Sequence, residues 1–282
     1  MEIVGCIACV LSCLTLVKAK ALTFDPSMLE NSIGVFEPFV VSGSDADDEW
    51  AFMASLQFYD TWFGEYYHVC GAALISSVHV VTAAHCVDDR VGGEGRSDPG
   101  RYRVMLGGLN VLTSSDDDVY LSVAAIIKHD LWEVNPLLGF PNDIAVLRLS
   151  SMAPVGRPDI TPIALPTSSG DFTGSACYIL GWGLTSGDAE TPPEVLQEAS
   201  TNVIGPEECQ REQPYMVRDS HVCVGGPGQP LACSGDSGGP LACKVGSSWQ
   251  LAGIGSWSFT CDDTPSVYTS IPPYAEWIVQ HP

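Results

Sequence analysis

Residues 235–240 read Gly-Asp-Ser-Gly-Gly-Pro, and few hexapeptides restrict a fold so tightly. Glycine and proline at this density are poorly suited to a helix interior or a central strand, so the segment has to be a tight turn whose backbone passes close to another part of the molecule. Ser237, set in that turn, is a candidate nucleophile. A serine hydroxyl is weak at neutral pH, so a base must lie within hydrogen-bond reach and a third group must orient that base. Taken alone, a Gly/Ser-rich run is an ordinary loop.

Two other segments can supply the missing groups. Val78, Val80 and Val81 read as a buried strand, and Thr82-Ala83-Ala84-His85-Cys86 follows, which puts His85 at a strand end beside a cysteine. Further along, Asn142-Asp143-Ile144-Ala145-Val146-Leu147-Arg148-Leu149 sets Asp143 at the mouth of an alternating strand. Singly, His85 is a structural histidine and Asp143 a turn cap. Together they arrive in the chain order His, Asp, Ser.

The flanks of all three resemble the chymotrypsin-like serine peptidases: Ala-Ala-His-Cys, Asn-Asp-Ile-Ala and Gly-Asp-Ser-Gly-Gly-Pro. The resemblance runs from about Val40 to Pro282 and includes Cys70-Gly71-Ala72-Ala73-Leu74-Ile75, Gly181-Trp182-Gly183, Ser256-Trp257 and Val267-Tyr268-Thr269. It implies an all-β fold of two antiparallel six-stranded Greek-key β-barrels with the site between them. His85 and Asp143 would come from the first barrel and Ser237 from the second, with Ser151 to Pro166 as the crossover. By the same likeness His85 is the general base and acid, Asp143 its orienting carboxylate, and the backbone N–H groups of Gly235 and Ser237 the oxyanion hole.

Composition agrees: 28 Gly and 20 Pro suit many short strands and turns. The exception is the end of the chain, where Tyr274, Trp277 and Ile278 at helical spacing predict one short C-terminal helix.

The first 21 residues carry a 15-residue apolar run, Ile3 to Val17, too short to span a bilayer, followed by Ala19-Lys20-Ala21. They read as a secretory signal peptide, with an uncleaved anchor as the other reading and Ala19 as an alternative cut. Three of the 11 cysteines lie in this leader, which leaves eight beyond it. Spacing does not choose among their pairings. The resemblance implies Cys70 with Cys86, Cys177 with Cys243, Cys209 with Cys223, and Cys233 with Cys261.

Residues 22–39 then form an activation segment. Where the family's mature chain begins, this one has Val40-Val41-Ser42-Gly43, which places the cut after Phe39. No Lys or Arg occurs from Ala21 to Asp89, so the activator is a chymotrypsin-like enzyme or this protein itself, not a trypsin. The freed Val40 amine would pair with Asp236 and thereby order the turn that carries Gly235 and Ser237.

For the substrate pocket the resemblance names Leu231 at the base, Ser258 and Ser266 on the walls, and Ser256 and Trp257 alongside. Trypsin-like members carry an aspartate where Leu231 stands. A buried unpaired cation is costly, so the pocket should take apolar side chains, with Leu231 and the serines favouring Leu, Met or smaller over Trp. Phe must still fit if the enzyme cuts itself after Phe39.

From Val40 onward there are 10 Lys and Arg against 30 Asp and Glu. Such an acidic surface disfavours nucleic acid and anionic membranes and steers basic substrates inward. No cofactor is implied, and no cysteine pair with a matching histidine set suggests zinc. Asp116-Asp117-Asp118 reads as a solvated loop, since adjacent carboxylates do not converge on one ion. The expected protein is a secreted, monomeric serine endopeptidase acting on proteins or peptides. The alternative is a catalytically silent binding protein on the same fold.

Overall fold

A computed structural model describes residues 43–281 apart from 47–49, 168–169, 187–188, 213–216, 227–228, 259–260 and 262–263. The leader, the activation segment and Val40 lie outside the described residues. Among the described residues thirteen strands dominate, and two closed antiparallel barrels hold twelve of them.

The first barrel contains β2 (Met53–Asp60), β3 (Glu65–Ser76), β4 (His79–Thr82), β5 (Tyr102–Leu106), β6 (Val119–Lys128) and β7 (Ala145–Leu149). They close in the order β2-β3-β4-β7-β6-β5. The second contains β8 (Ala176–Gly181), β9 (Gln197–Ile204), β10 (His221–Val224), β11 (Pro240–Val245), β12 (Ser248–Trp257) and β13 (Ser266–Ser270). Their order is β9-β10-β13-β12-β11-β8, and a β8–β9 ladder closes it. The short β1 (Ser44–Asp45) pairs with β9 outside that ring. Closure removes the free edges that open antiparallel sheets leave exposed.

The residues that build these strands are those a pleated, buried surface favours. Leu56, Leu74, Val80, Met105, Leu106 and Leu147 fill the first barrel, and Ile179, Val224, Leu241, Ala252 and Tyr268 the second, all essentially without solvent contact. Burying side chains of this size stabilises the fold by about 1.5–3 kcal/mol each. Strand β7, expected to alternate, is instead buried at every position except Arg148, because both of its faces are covered.

Residues 151–166 cross between the barrels in irregular form. Ile163 N–H donates to the Leu74 carbonyl of β3 (2.9 Å), and Leu251 N–H of β12 then donates to Ala164 (2.9 Å). Trp50 fastens the same seam, packing on Phe52 of the first-barrel side and on Tyr178 and Trp249 of the second, with its indole N–H donated to Glu198.

Among the described residues there are also three short α-helices: α1 (Asp89–Gly92), α2 (Pro206–Glu212) and α3 (Ala275–Gln280). Of these only α3 was expected from the sequence, through the helical spacing of Tyr274, Trp277 and Ile278. Tyr274 belongs not to α3 but to a 3₁₀ turn just before it. The cysteines pair as the resemblance implied, Cys70–Cys86, Cys177–Cys243, Cys209–Cys223 and Cys233–Cys261. No helix among the described residues is long and apolar enough to cross a membrane.

Candidate active site

Asp143 sits just before β7 and has no solvent exposure. A buried carboxylate needs several donors, and it has them. Its Oδ1 accepts the His85 backbone N–H (2.8 Å), while Oδ2 accepts His85 Nδ1–H (2.7 Å) and the Ser256 hydroxyl (2.6 Å). Its own carbonyl accepts the Thr269 hydroxyl (2.9 Å). Ser256 and Thr269 belong to the second barrel, so both barrels hold this one residue.

His85 lies on a single 3₁₀ turn, Ala84–Val87, directly after β4 and beside the Cys70–Cys86 disulfide. With its Nδ1 proton committed to Asp143, the imidazole presents Nε2 as an acceptor. Burial works to lower its pKa, but the negative charge of Asp143 and the hydrogen bond to it outweigh burial, and the net shift is upward.

Ser237 occupies the turn before β11, and the turn is sewn to both barrels. The Ser237 carbonyl accepts Gly71 N–H of β3 (2.8 Å), and Gly238 N–H donates to Gly255 of β12 (2.8 Å). Cys86 Sγ is 3.7 Å from His85 Nε2 and 3.2 Å from where a Gly238 β-carbon would stand, so the turn abuts the imidazole. Among the described residues no hydrogen bond joins the Ser237 hydroxyl to His85; in sites without substrate this bond is commonly long and tightens when substrate binds. Among the described residues, the backbone N–H groups of Gly235 and Ser237 also meet no protein acceptor, which leaves two adjacent donors open at the turn.

Asp236 points the other way. It is buried, with Oδ1 accepting Gly183 N–H and Oδ2 accepting Cys233 N–H, both at 2.8 Å. A β-carbon at Gly183 would come within 2.5 Å of this carboxyl group, which is why the Gly-Trp-Gly segment must be glycine there. Burial raises the Asp236 pKa to about 6 against the opposing pull of the two N–H bonds.

His68 completes this region and was not singled out from the sequence. Its Nδ1 is 2.8 Å from the Ser55 hydroxyl, its Nε2 is 3.4 Å from the Gly235 carbonyl, and its ring meets Trp182 edge-on at 5.3 Å. Burial lowers its pKa to about 4, so it is neutral at physiological pH. A lone histidine two residues before Cys70 carries no local signal of such a role.

A cavity of about 250 Å³ opens beside Ser237, lined among others by Ala232, Ser256, Trp257, Ser258 and Ser266. Four expected pocket residues are therefore on its wall. Leu231 is not: it is fully buried, its side chain packed against Gly225, and the next residue, Ala232, takes the place in the lining. An isobutyl group has no polar atom to present and gains more by leaving water entirely. The Ser266 hydroxyl accepts Ala232 N–H (2.9 Å) and donates to the Ala232 carbonyl (3.3 Å), so its polarity is spent on the backbone. Asp236 is the only charged residue in the described lining, and both its oxygens are already engaged.

A family model described as Trypsin matches residues 40–278. The chain is 33% identical to Trypsin-1 of Astacus astacus over 244 residues, covering 85% of this chain and 98% of that protein. It is 35% identical to Chymotrypsin-C of Mus musculus over 255 residues, 85% and 87% of the two chains. Against Trypsin II-P29 of Gallus gallus it is 35% identical over 214 residues, 75% and 79%. Sequence likeness across nearly the whole domain thus meets the doubly barrelled fold and the histidine–aspartate pair at its seam, and the chain belongs to the trypsin family as a serine endopeptidase of the chymotrypsin-like fold.

Proposed function

We propose that Ser237, His85 and Asp143 carry out acyl transfer, and that the protein is secreted as a zymogen and cleaves after apolar residues once activated. The observation that supports the chemistry best is Asp143, held from both barrels and bonded to His85 Nδ1 at 2.7 Å. Ser237 Oγ attacks the scissile carbonyl carbon as His85 Nε2 takes its proton, and Asp143 stabilises the imidazolium that results. The oxyanion is received by the N–H groups of Gly235 and Ser237. His85 returns its proton to the departing amine, and water, activated by the same imidazole, hydrolyses the acyl-enzyme.

Cleavage after Phe39 frees the Val40 amine to pair with Asp236. In the uncut chain this carboxylate is buried against backbone donors, and an ammonium partner offsets the cost of keeping it ionised there. Specificity for apolar side chains is supported by the described lining, in which no carboxylate is left to neutralise a Lys or Arg, and by Leu231, which stands in the sequence where the resemblance puts a trypsin's aspartate. The relatives' names include both trypsins and a chymotrypsin, so the reading rests on the pocket residues rather than on the names. The acidic surface brings basic protein substrates toward the cleft.

The test is a set of peptides varied only at the residue before the cut, offered to protein matured at Phe39. Turnover should be highest for Leu, Met or Phe and at least about 100-fold lower for Arg, and Ser237 should take up a fluorophosphonate only after maturation. Preferred cleavage after Arg would overturn the pocket assignment.

A further inference from the structure

Asp88 follows the His85 turn directly and is buried, with 1% of its surface exposed. Nothing in the acyl-transfer scheme uses it, yet its carboxylate gathers five donors. Oδ1 accepts the Arg90 backbone N–H (2.9 Å) and Arg90 Nε–H (3.0 Å). Oδ2 accepts Arg90 Nη2–H (2.8 Å), Lys128 Nζ–H (3.0 Å) and the indole N–H of Trp132 (2.8 Å). The hydrogen bonds from Arg90 foremost, then those from Lys128 and Trp132, keep the carboxyl ionised far below the usual range despite burial.

Two of these donors lie at the start of the loop that ends in Asp143. Lys128 closes β6, Trp132 stands four residues on, and the chain then turns back to enter β7. The limbs of that loop are tied together: His129 N–H donates to Ile144 (3.1 Å), Glu133 N–H to Pro141 (3.3 Å), and Asn142 Nδ2–H to Leu131 (2.8 Å). Trp132 stacks on Phe140, at 6.4 Å between ring centroids. Phe140 and Asn142 both have positive φ, 53° and 57°, a conformation uncommon for residues other than glycine that surrounding contacts must hold.

We infer that Asp88 is a positioning residue for the histidine–aspartate pair: through Trp132 and Lys128 it fixes the Asp143 loop to the residue three places after His85. The inference rests on His85 and Asp143 being base and orienting acid. It makes the pair the closing contact of a ring, in which Asp88 bridges on one side what the Nδ1–Oδ2 bond bridges on the other. Without the bridge the strained loop relaxes, and Asp143 drifts from His85. A misplacement of about 1 Å costs about 10²-fold in rate, so the loss should fall on kcat while KM, set by the cavity around Ser258, stays within about two-fold.

The experiment compares the matured parent with Asp88→Ala, Trp132→Phe, Asp88→Asn and Asp143→Asn, using a short apolar peptide substrate across pH. Trp132→Phe deletes only the bond to Asp88 and keeps the stacked ring. Asp88→Ala should lose about 10- to 100-fold in kcat and Trp132→Phe about 3- to 10-fold, with Asp88→Asn between parent and Ala because one acceptor oxygen remains. The acid limb of kcat/KM should move to lower pH in each, since His85 loses part of the contact that raises its pKa. The charged group facing that imidazole is Asp143, and the titratable groups that face Asp143 in turn are His85, His221, which burial keeps neutral, and Tyr274; changing Trp132 alters no charge among them or in the Asp88–Arg90–Lys128 group. A merely structural role would lower the melting temperature and leave the acid limb in place. Should Asp88→Ala fail to fold, Trp132→Phe decides. Folded variants with the parent's kcat and acid limb would overturn the inference, provided Asp143→Asn is inactive; if Asp143→Asn is as active as the parent, the catalytic assignment itself is at fault.

Discussion

Substituting Gly238 by alanine tests whether the nucleophile turn is wedged between the barrels. The residue has φ +75°, and a β-carbon there would lie 2.5 Å from the Gly71 carbonyl oxygen and 3.2 Å from Cys86 Sγ, and would run into the Thr82 hydroxyl. None of these can retreat. Thr82 is fully buried and donates to that same carbonyl at 2.8 Å, and Cys86 is fixed in its disulfide. Left-handed backbone costs an alanine about 1 kcal/mol and overpacking a tight contact about 1–3 more, so the variant should lose about 2–4 kcal/mol. That is a large part of a typical domain's 5–15 kcal/mol, roughly. Urea unfolding with the disulfides intact, followed by the fluorescence of buried Trp50 and Trp182, would measure it. The displaced turn should also cut kcat/KM at least about 100-fold. Adding Thr82→Ala removes one clashing group and should restore part of the stability. A Gly238→Ala protein with the parent's midpoint and turnover would refute the steric reasoning.

Asp143→Asn should lower kcat about 10⁴-fold, because an amide at Oδ2 no longer holds the Nδ1–H tautomer. In the parent, base catalysis requires neutral His85, and its pKa is raised, so turnover should fall as pH drops through a midpoint above 6.5; a midpoint below that value would contradict the assigned pair. In the uncut chain the Asp236 pKa of about 6 exceeds the 3.8 of an ordinary aspartate, so the folded state binds this proton more tightly. The stabilisation is therefore complete below about pH 4 and is lost as pH rises through about 6, a difference of about 3 kcal/mol that Asp236→Asn should abolish in pH-dependent unfolding. After cleavage the Val40 pairing should lower that pKa, and activity should fall in alkali as the amine deprotonates. Replacing Cys233 and Cys261 by alanine should cost about 3–4 kcal/mol by the chain-entropy model and, since both line the cavity, broaden the choice of residue before the cut in the peptide panel.

Much of this was legible in the chain because the informative residues come with their neighbours attached. The Gly-Asp-Ser-Gly-Gly-Pro turn, the strand before His85 and the strand after Asp143 each state locally that a polar residue sits at the end of a buried element. Such local statements placed the strands beside His85 and Asp143, and the resemblance carried by their flanks implied the two barrels and brought Ser237, His85 and Asp143 forward as the chemistry. What they could not contain is direction and distance across long separations. His85 meets Asp143 across 58 positions, Ser256 meets it across 113, and Trp50 reaches Glu198 across 148. Barrel closure decides such pairs, by making neighbours of strands that are remote in sequence. The same closure turned Leu231 away from the cavity, set His68 against Gly235, and drew Lys128 and Trp132 onto Asp88. A side chain's surroundings depend on what closes over it, and for these residues that was settled only when the sheets curled shut.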